Sequence, residues 1–334
     1  MGRALLGAPG GPDKVRPTVS ETYHVPSADP GIQLYIRNTR PESLSTLRPG
    51  RTLLFVHGAT YPSDTMFDLK IDGESWMDSM ASHGYDVYSM DVRGYGRSTR
   101  PPEMDRPARE SAPVVTTDDG VRDFGAVVDH IRELRDIQRV SLMGWSWGTV
   151  IAGAYAAMHP DKTERLVMYA PLWLRRIPGG LRVDGHMGAY RAVTLDAARQ
   201  RWLTGVAVDK QKDLIPPGVL DAWWTANMEA DPVGAKMSPP AVRAPNGLLV
   251  DACKYWEADT RYYDPSEIRA PVLVVVGDWD VDTPAYMAQA ILTRLTSSPR
   301  KRLVIIGEGT HHLMLEKNRG QMFREVQSFL DEAL

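Results

Sequence analysis

The stretch Val140-Ser141-Leu142-Met143-Gly144-Trp145-Ser146-Trp147-Gly148-Thr149-Val150-Ile151-Ala152 sets one serine between two glycines, behind an apolar run and ahead of a helix-like one. Gly144, Ser146 and Gly148 fit Gly-x-Ser-x-Gly, in which the chain turns so sharply from strand to helix that the serine hydroxyl stands clear of the sheet edge. Such a turn strains the serine backbone. Side chains two residues to either side would collide with a neighbouring strand or helix, so glycine occupies both places. Arg139 to Met143 reads as a short buried strand of a parallel sheet. Gly148, Ala152 and Ala156 recur every four residues, a smooth stripe that lets a helix lie close on that sheet. Pro160, after His159, ends the helix.

Working outward, strand and helix signals alternate. Ile32 to Ile36, Thr52 to Val56, Tyr85 to Met90, Arg165 to Tyr169, Val272 to Val276 and Arg302 to Ile306 read as strands. Residues 118–135 carry an amphipathic helix with Val121, Phe124, Val128, Ile131 and Leu134 on one face. Alternation of this kind predicts an α/β fold with a mostly parallel sheet covered by helices on both faces. The segment 171–267 breaks the pattern. It is rich in Trp, Met and Pro (Trp173, Trp202, Trp223, Trp224, Met187, Met228, Pro178, Pro216, Pro217) and reads as an inserted helical cap. The core is then discontinuous, 1–170 and 268–334, with 1–20 a flexible Gly- and Pro-rich tail.

The 334 residues carry a net charge of −3, which gives no footprint for nucleic acid or an anionic membrane surface. The single Cys253 excludes an internal disulfide and fits a reducing compartment. No stretch has the length of a membrane span. The expectation is a soluble cytoplasmic protein acting on a small molecule, without cofactor or metal.

A serine hydroxyl needs a base, a group to orient that base, and donors for an oxyanion. In an open parallel sheet these belong beyond the carboxyl ends of strands. After Val276 come Asp278, Asp280 and Asp282, of which Asp280 is the leading acid. The three aspartates fail as a calcium loop, since the sixth position is Thr283 and the twelfth Gln289. After Ile306 a glycine-rich turn carries His311, the leading base, with His312 as alternative. Neutral imidazole can accept the serine proton at physiological pH. His83, His130, His159 and His186 have structural explanations. The backbone N–H groups of Trp147 and Ala59 are the expected oxyanion donors, and His57 a structural residue. Tyr61 and Trp145 are candidates for contact with substrate.

Ser146, Asp280 and His311 in that order, the His57-Gly58 turn and Asp91-x-Arg93-Gly94-x-Gly96-Arg97-Ser98 resemble the α/β-hydrolase fold superfamily, from about residue 30 to the C-terminus. The family places its acid three residues after the glycine ending a strand, as Gly277 to Asp280, and its histidine five before a glutamate, as His311 to Glu316. The resemblance implies a Ser146–His311–Asp280 triad, and so a serine hydrolase that cleaves an ester or related acyl bond; the bulky apolar residues of segment 171–267 suggest that its small-molecule substrate is hydrophobic. Other activities of the fold are C–C bond hydrolysis, cofactor-free oxygenation, a proline-iminopeptidase-like reaction and non-catalytic ligand reception. The turn His57-Gly58-Ala59-Thr60 departs from the His-Gly-Gly-Pro of proline iminopeptidases. Ser146 departs from the elbow aspartate of epoxide hydrolases and haloalkane dehalogenases.

Overall fold

In chain order the strands are β1 (Thr18–Pro26), β2 (Gln33–Pro41), β3 (Thr52–Val56), β4 (Asp86–Met90), β5 (Val140–Trp145), β6 (Thr163–Tyr169), β7 (Tyr190–Thr194), β8 (Ala241–Pro245), β9 (Val272–Gly277) and β10 (Lys301–Ile306). The computed structural model describes residues 17–43, 50–175 and 187–333. Eight strands form one sheet in the order β1-β2-β4-β3-β5-β6-β9-β10. Strands β4, β3, β5, β6, β9 and β10 run parallel, while β2 pairs antiparallel with both β4 and the edge strand β1. Central strands such as β3, β5 and β9 are buried along their whole length, because helices cover both faces. Two apolar cores result, one against each face: Phe124, Val128 and Ile151 in one, Phe55, Trp76 and Phe329 in the other.

The amphipathic helix forms over Thr117–Arg135, opened by a capping box in which the Thr116 hydroxyl and the Asp119 carboxylate satisfy each other's backbone N–H groups. The helix Trp147–Met158 stops where expected, before His159 and Pro160. Among the described residues, no helix is long and apolar enough to cross a membrane.

Two expectations need correcting. The tail does not reach residue 20: Thr18, Val19 and Ser20 already belong to β1, in register with Pro41, Arg40 and Thr39 of β2; residues 1–16 lie outside the described part. Nor is the segment between β6 and β9 helical throughout. β7 and β8 pair antiparallel as a two-stranded ribbon, Tyr190 opposite Pro245 through Thr194 opposite Ala241. Each strand is five residues long, carries an arginine and lacks apolar alternation, so periodicity could not reveal it. Pro178 and His186 of this segment are outside the described residues.

Candidate active site

Ser146 sits where β5 turns into the helix Trp147–Met158, with φ 55° and ψ −119°, a backbone conformation that costs a non-glycine residue about 1–3 kcal/mol. The turn is tight enough to explain both glycines. A Cβ on Gly144 would lie 2.1 Å from the Gly148 carbonyl oxygen, and one on Gly148 would lie 2.5 Å from that of Val56 in β3. The Ser146 N–H donates to Tyr169 O at 3.0 Å, and its carbonyl accepts from the Thr149 N–H and hydroxyl. The Trp147 N–H, first in its helix, has no intrahelical acceptor and carries the positive end of the helix dipole.

The loop after β9 delivers Asp280, whose four acceptor positions are all used. Oδ1 accepts the N–H groups of Asp282 (2.9 Å) and Thr283 (2.8 Å). Oδ2 accepts the Thr283 hydroxyl (2.8 Å) and lies 2.8 Å from His311 Nδ1. With Nδ1–H committed to a carboxylate, neutral His311 keeps a lone pair on Nε2. Burial works against charging this imidazole, but the Asp280 carboxylate, with Asp282 beyond it, outweighs burial and raises its pKa above 6.5. Of the other two aspartates, Asp282 binds Arg201 instead (2.9 Å). Asp278 only approaches the Gly309 N–H, at 3.4 Å.

The turn after β10 is fixed from several sides. The His311 carbonyl accepts the Trp145 indole N–H (3.0 Å) and the Tyr169 hydroxyl (2.9 Å). One residue earlier, the Thr310 N–H donates to Glu316 Oε2 (3.0 Å), while its hydroxyl and the Trp202 indole N–H donate to Oε1. Adjacent His312 turns another way. It stacks on Trp202, ring centroids 4.6 Å apart at 24°, and meets Trp145 and Trp223 edge-on.

Ser146, His311 and His312 share one cavity of about 40 Å³, lined also by Ala59, Thr60, Tyr61, Trp145, Val193 and Arg201. Expected residues therefore converge: the serine, the leading histidine, Ala59, Tyr61 and Trp145. The two tryptophans beside Ser146 part company. Trp145 faces the cavity, whereas the Trp147 side chain is fully buried in the core and donates to Thr117 Oγ1 at 3.0 Å. His57 is buried under the turn, Nδ1 against Gly58 O (2.7 Å) and Nε2 accepting the Val92 N–H (3.1 Å); burial lowers its pKa to about 4.

Sequence reasoning missed Arg191, Arg201, Thr283 and Tyr169. Arg191 Nη2 donates to Ala59 O at 2.5 Å and to Thr60 Oγ1 at 3.0 Å, and Nη1 to Pro245 O at 2.7 Å. No local pattern marks residues that reach the site from β6, β7 or the helix Leu195–Trp202.

The sequence matches the Hydrolase_4 family, described as "Serine aminopeptidase, S33", across residues 48–318. The chain belongs to this family, within the α/β-hydrolase superfamily. Epoxide hydrolase 2 of Siraitia grosvenorii is 28% identical over 142 residues, 42% of this chain and 39% of that protein. The proline iminopeptidase of Xylella fastidiosa (strain 9a5c) is 33% identical over 92 residues, 28% and 26% of the respective chains. These matches span well under half the length of either relative. Among solved structures, a thermophilic esterase from Thermogutta terrifontis superposes with a TM-score of 0.60 at 16% identity, over 93% of this chain and 98% of that one. A likeness at that identity speaks for the fold alone.

Proposed function

We propose that this hydrolase cleaves an ester or related acyl bond of a small molecule through Ser146, His311 and Asp280. The observation that carries the reading is a serine strained onto a cavity wall, sharing that cavity with an imidazole whose far nitrogen is held 2.8 Å from a buried carboxylate. Ser146 Oγ attacks the carbonyl carbon while His311 Nε2 takes its proton. The backbone N–H groups of Ala59 and Trp147 hold the oxyanion. As the tetrahedral intermediate collapses, Nε2 returns the proton to the departing alkoxide and an acyl-serine remains. Water then repeats the sequence, giving up a proton to Nε2 and releasing the acid and Ser146 Oγ–H. Asp280 keeps the ring in one tautomer and stabilises the imidazolium.

Segment 171–267 serves as a cap, a reading supported by the contribution of Val193 and Arg201 to the cavity wall. Ester chemistry is favoured over epoxide opening because the elbow residue is Ser146 and not an aspartate. A fluorophosphonate probe tests the assignment. It should label the native protein, fail with Ser146→Ala, react far more slowly with His311→Ala, and keep reacting with His312→Phe. Labelling that survives Ser146→Ala removes the nucleophile assignment.

A further inference from the structure

Two basic side chains on the cavity wall, His312 and Arg201, take no part in the triad. His312 is only 3% exposed, and among the described residues neither of its ring nitrogens has a hydrogen-bond partner. Burying an imidazole without partners costs free energy that a phenyl ring in the same aromatic box would not. His312 lines the cavity, and both of its nitrogens are almost closed to solvent there. Arg201, on the helix Leu195–Trp202, lines the same cavity and keeps 37% of its side chain exposed. Its Nε–H is spent on Asp282, which fixes the plane of the fork. Among the described residues, no acceptor lies within hydrogen-bond distance of its two Nη atoms, leaving four N–H donors open.

Among the described residues, the two arginines beside the cavity meet one carboxylate between them within 4 Å. Arg191 has no carboxylate within 4 Å among the described residues, and Arg201 has only Asp282. Asp280 is committed to His311. A carboxylate is an acceptor-only group that suits a guanidinium fork, and a neutral imidazole can add one N–H to it. Tyr61, Trp145 and the His312 ring supply flat apolar surface for the methylenes leading to it.

We propose that Arg201 and His312 form a carboxylate subsite beside Ser146, so that the preferred substrate is a short ester whose acyl chain ends in a free carboxylate. This rests on the hydrolase reading above for turnover, but not for binding. Monomethyl glutarate and methyl pentanoate, of equal acyl length, separate the two. In the native protein kcat/KM for the charged ester should exceed that for the neutral one at least tenfold. The ratio should fall about tenfold in Arg201→Met and by a smaller factor in His312→Phe, chiefly through KM. General damage to the fold cancels in that ratio. Equal use of both esters, or a preference that Arg201→Met leaves in place, overturns the proposal.

Calorimetric titration of Ser146→Ala with the same two esters reads the subsite without chemistry. Monomethyl glutarate should bind at least tenfold more tightly than methyl pentanoate, and Arg201→Met in that background should remove the difference. Equal or undetectable binding of both overturns the subsite. Selective binding in a protein that no fluorophosphonate labels would instead sink the hydrolase reading and leave the subsite standing.

Discussion

Arg191, in the ribbon strand β7, reaches across to the turn after β3 and donates to the carbonyl oxygen of Ala59 at 2.5 Å. The same oxygen accepts the Tyr95 hydroxyl at 3.0 Å, so the peptide is held from two directions. Arg191 is thereby the direct polar tie between the insertion and the turn proposed to donate to the oxyanion. Its charge is satisfied by carbonyl and amide oxygens, and burial lowers its pKa.

Arg191→Met should therefore loosen the turn without removing any group that meets substrate. Small misplacements of catalytic groups can cost up to about 100-fold in rate. With Tyr95 still holding the peptide, kcat for a simple ester should fall about tenfold while KM moves less than about threefold. A change confined to KM in steady-state kinetics would assign Arg191 to substrate binding instead.

Ser146 lines the cavity with its backbone at positive φ, which gives a paired test. Ser146→Ala keeps a Cβ at φ 55° and should abolish ester turnover with little change in stability. Ser146→Gly should abolish turnover too, but relieve strain of about 1–3 kcal/mol and raise the melting temperature by several degrees. Calorimetric melting of the three proteins decides it, and a glycine variant less stable than the alanine one would show that the turn is not strained.

The acid limb of the pH–rate profile follows from His311. Only the neutral imidazole can accept the serine proton, and Asp280 raises its pKa above the ordinary 6.5. Activity in kcat/KM should thus be full at alkaline pH and fall as pH drops through a midpoint above 6.5. Asp280→Asn should lower kcat by orders of magnitude, since the amide no longer fixes the tautomer or balances the imidazolium. A limb that stays below pH 6 in the native protein would argue that His311 is not the base.

Much of this was legible in the chain because the relevant signals are local. Gly144 and Gly148 report a turn in which a Cβ would strike a backbone oxygen, and the run Val272 to Val276 reports a strand buried on both faces. The choice of Asp280 over Asp278 and Asp282 was carried by family spacing, and its hydrogen bonds give the physical reason: only Asp280 has Thr283 beneath it and His311 beside it. What stayed hidden depends on long-range packing. β1 has five of its nine residues exposed and little apolar signal, and it exists because β2 offers an edge. Trp145 and Trp147 look alike in sequence, yet the strand–helix elbow at Ser146 between them sends one to the cavity and the other to the core.

Glu316 provides the last test, on stability. It sits buried beneath the His311 turn, taking donors from Thr310 and Trp202, and burial raises its pKa from 4.5 to about 7 despite them. Below pH 4.5 the carboxyl is protonated in folded and unfolded chains alike, and its contribution is intact. Between 4.5 and about 7 the unfolded chain releases the proton while the folded one must keep it, so stability falls as pH rises. Above 7 the loss is complete, about 3 kcal/mol for a shift of this size. Glu316→Gln cannot ionise and cannot accept from all three donors, so it should be less stable than the native protein at pH 5 by about 1–3 kcal/mol. That deficit should shrink or reverse by pH 8, as the native protein alone loses stability. Urea midpoints of the two proteins at pH 5 and pH 8 measure the difference. A deficit that stays constant would mean that Glu316 is ionised throughout, held by Thr310 and Trp202 against its burial.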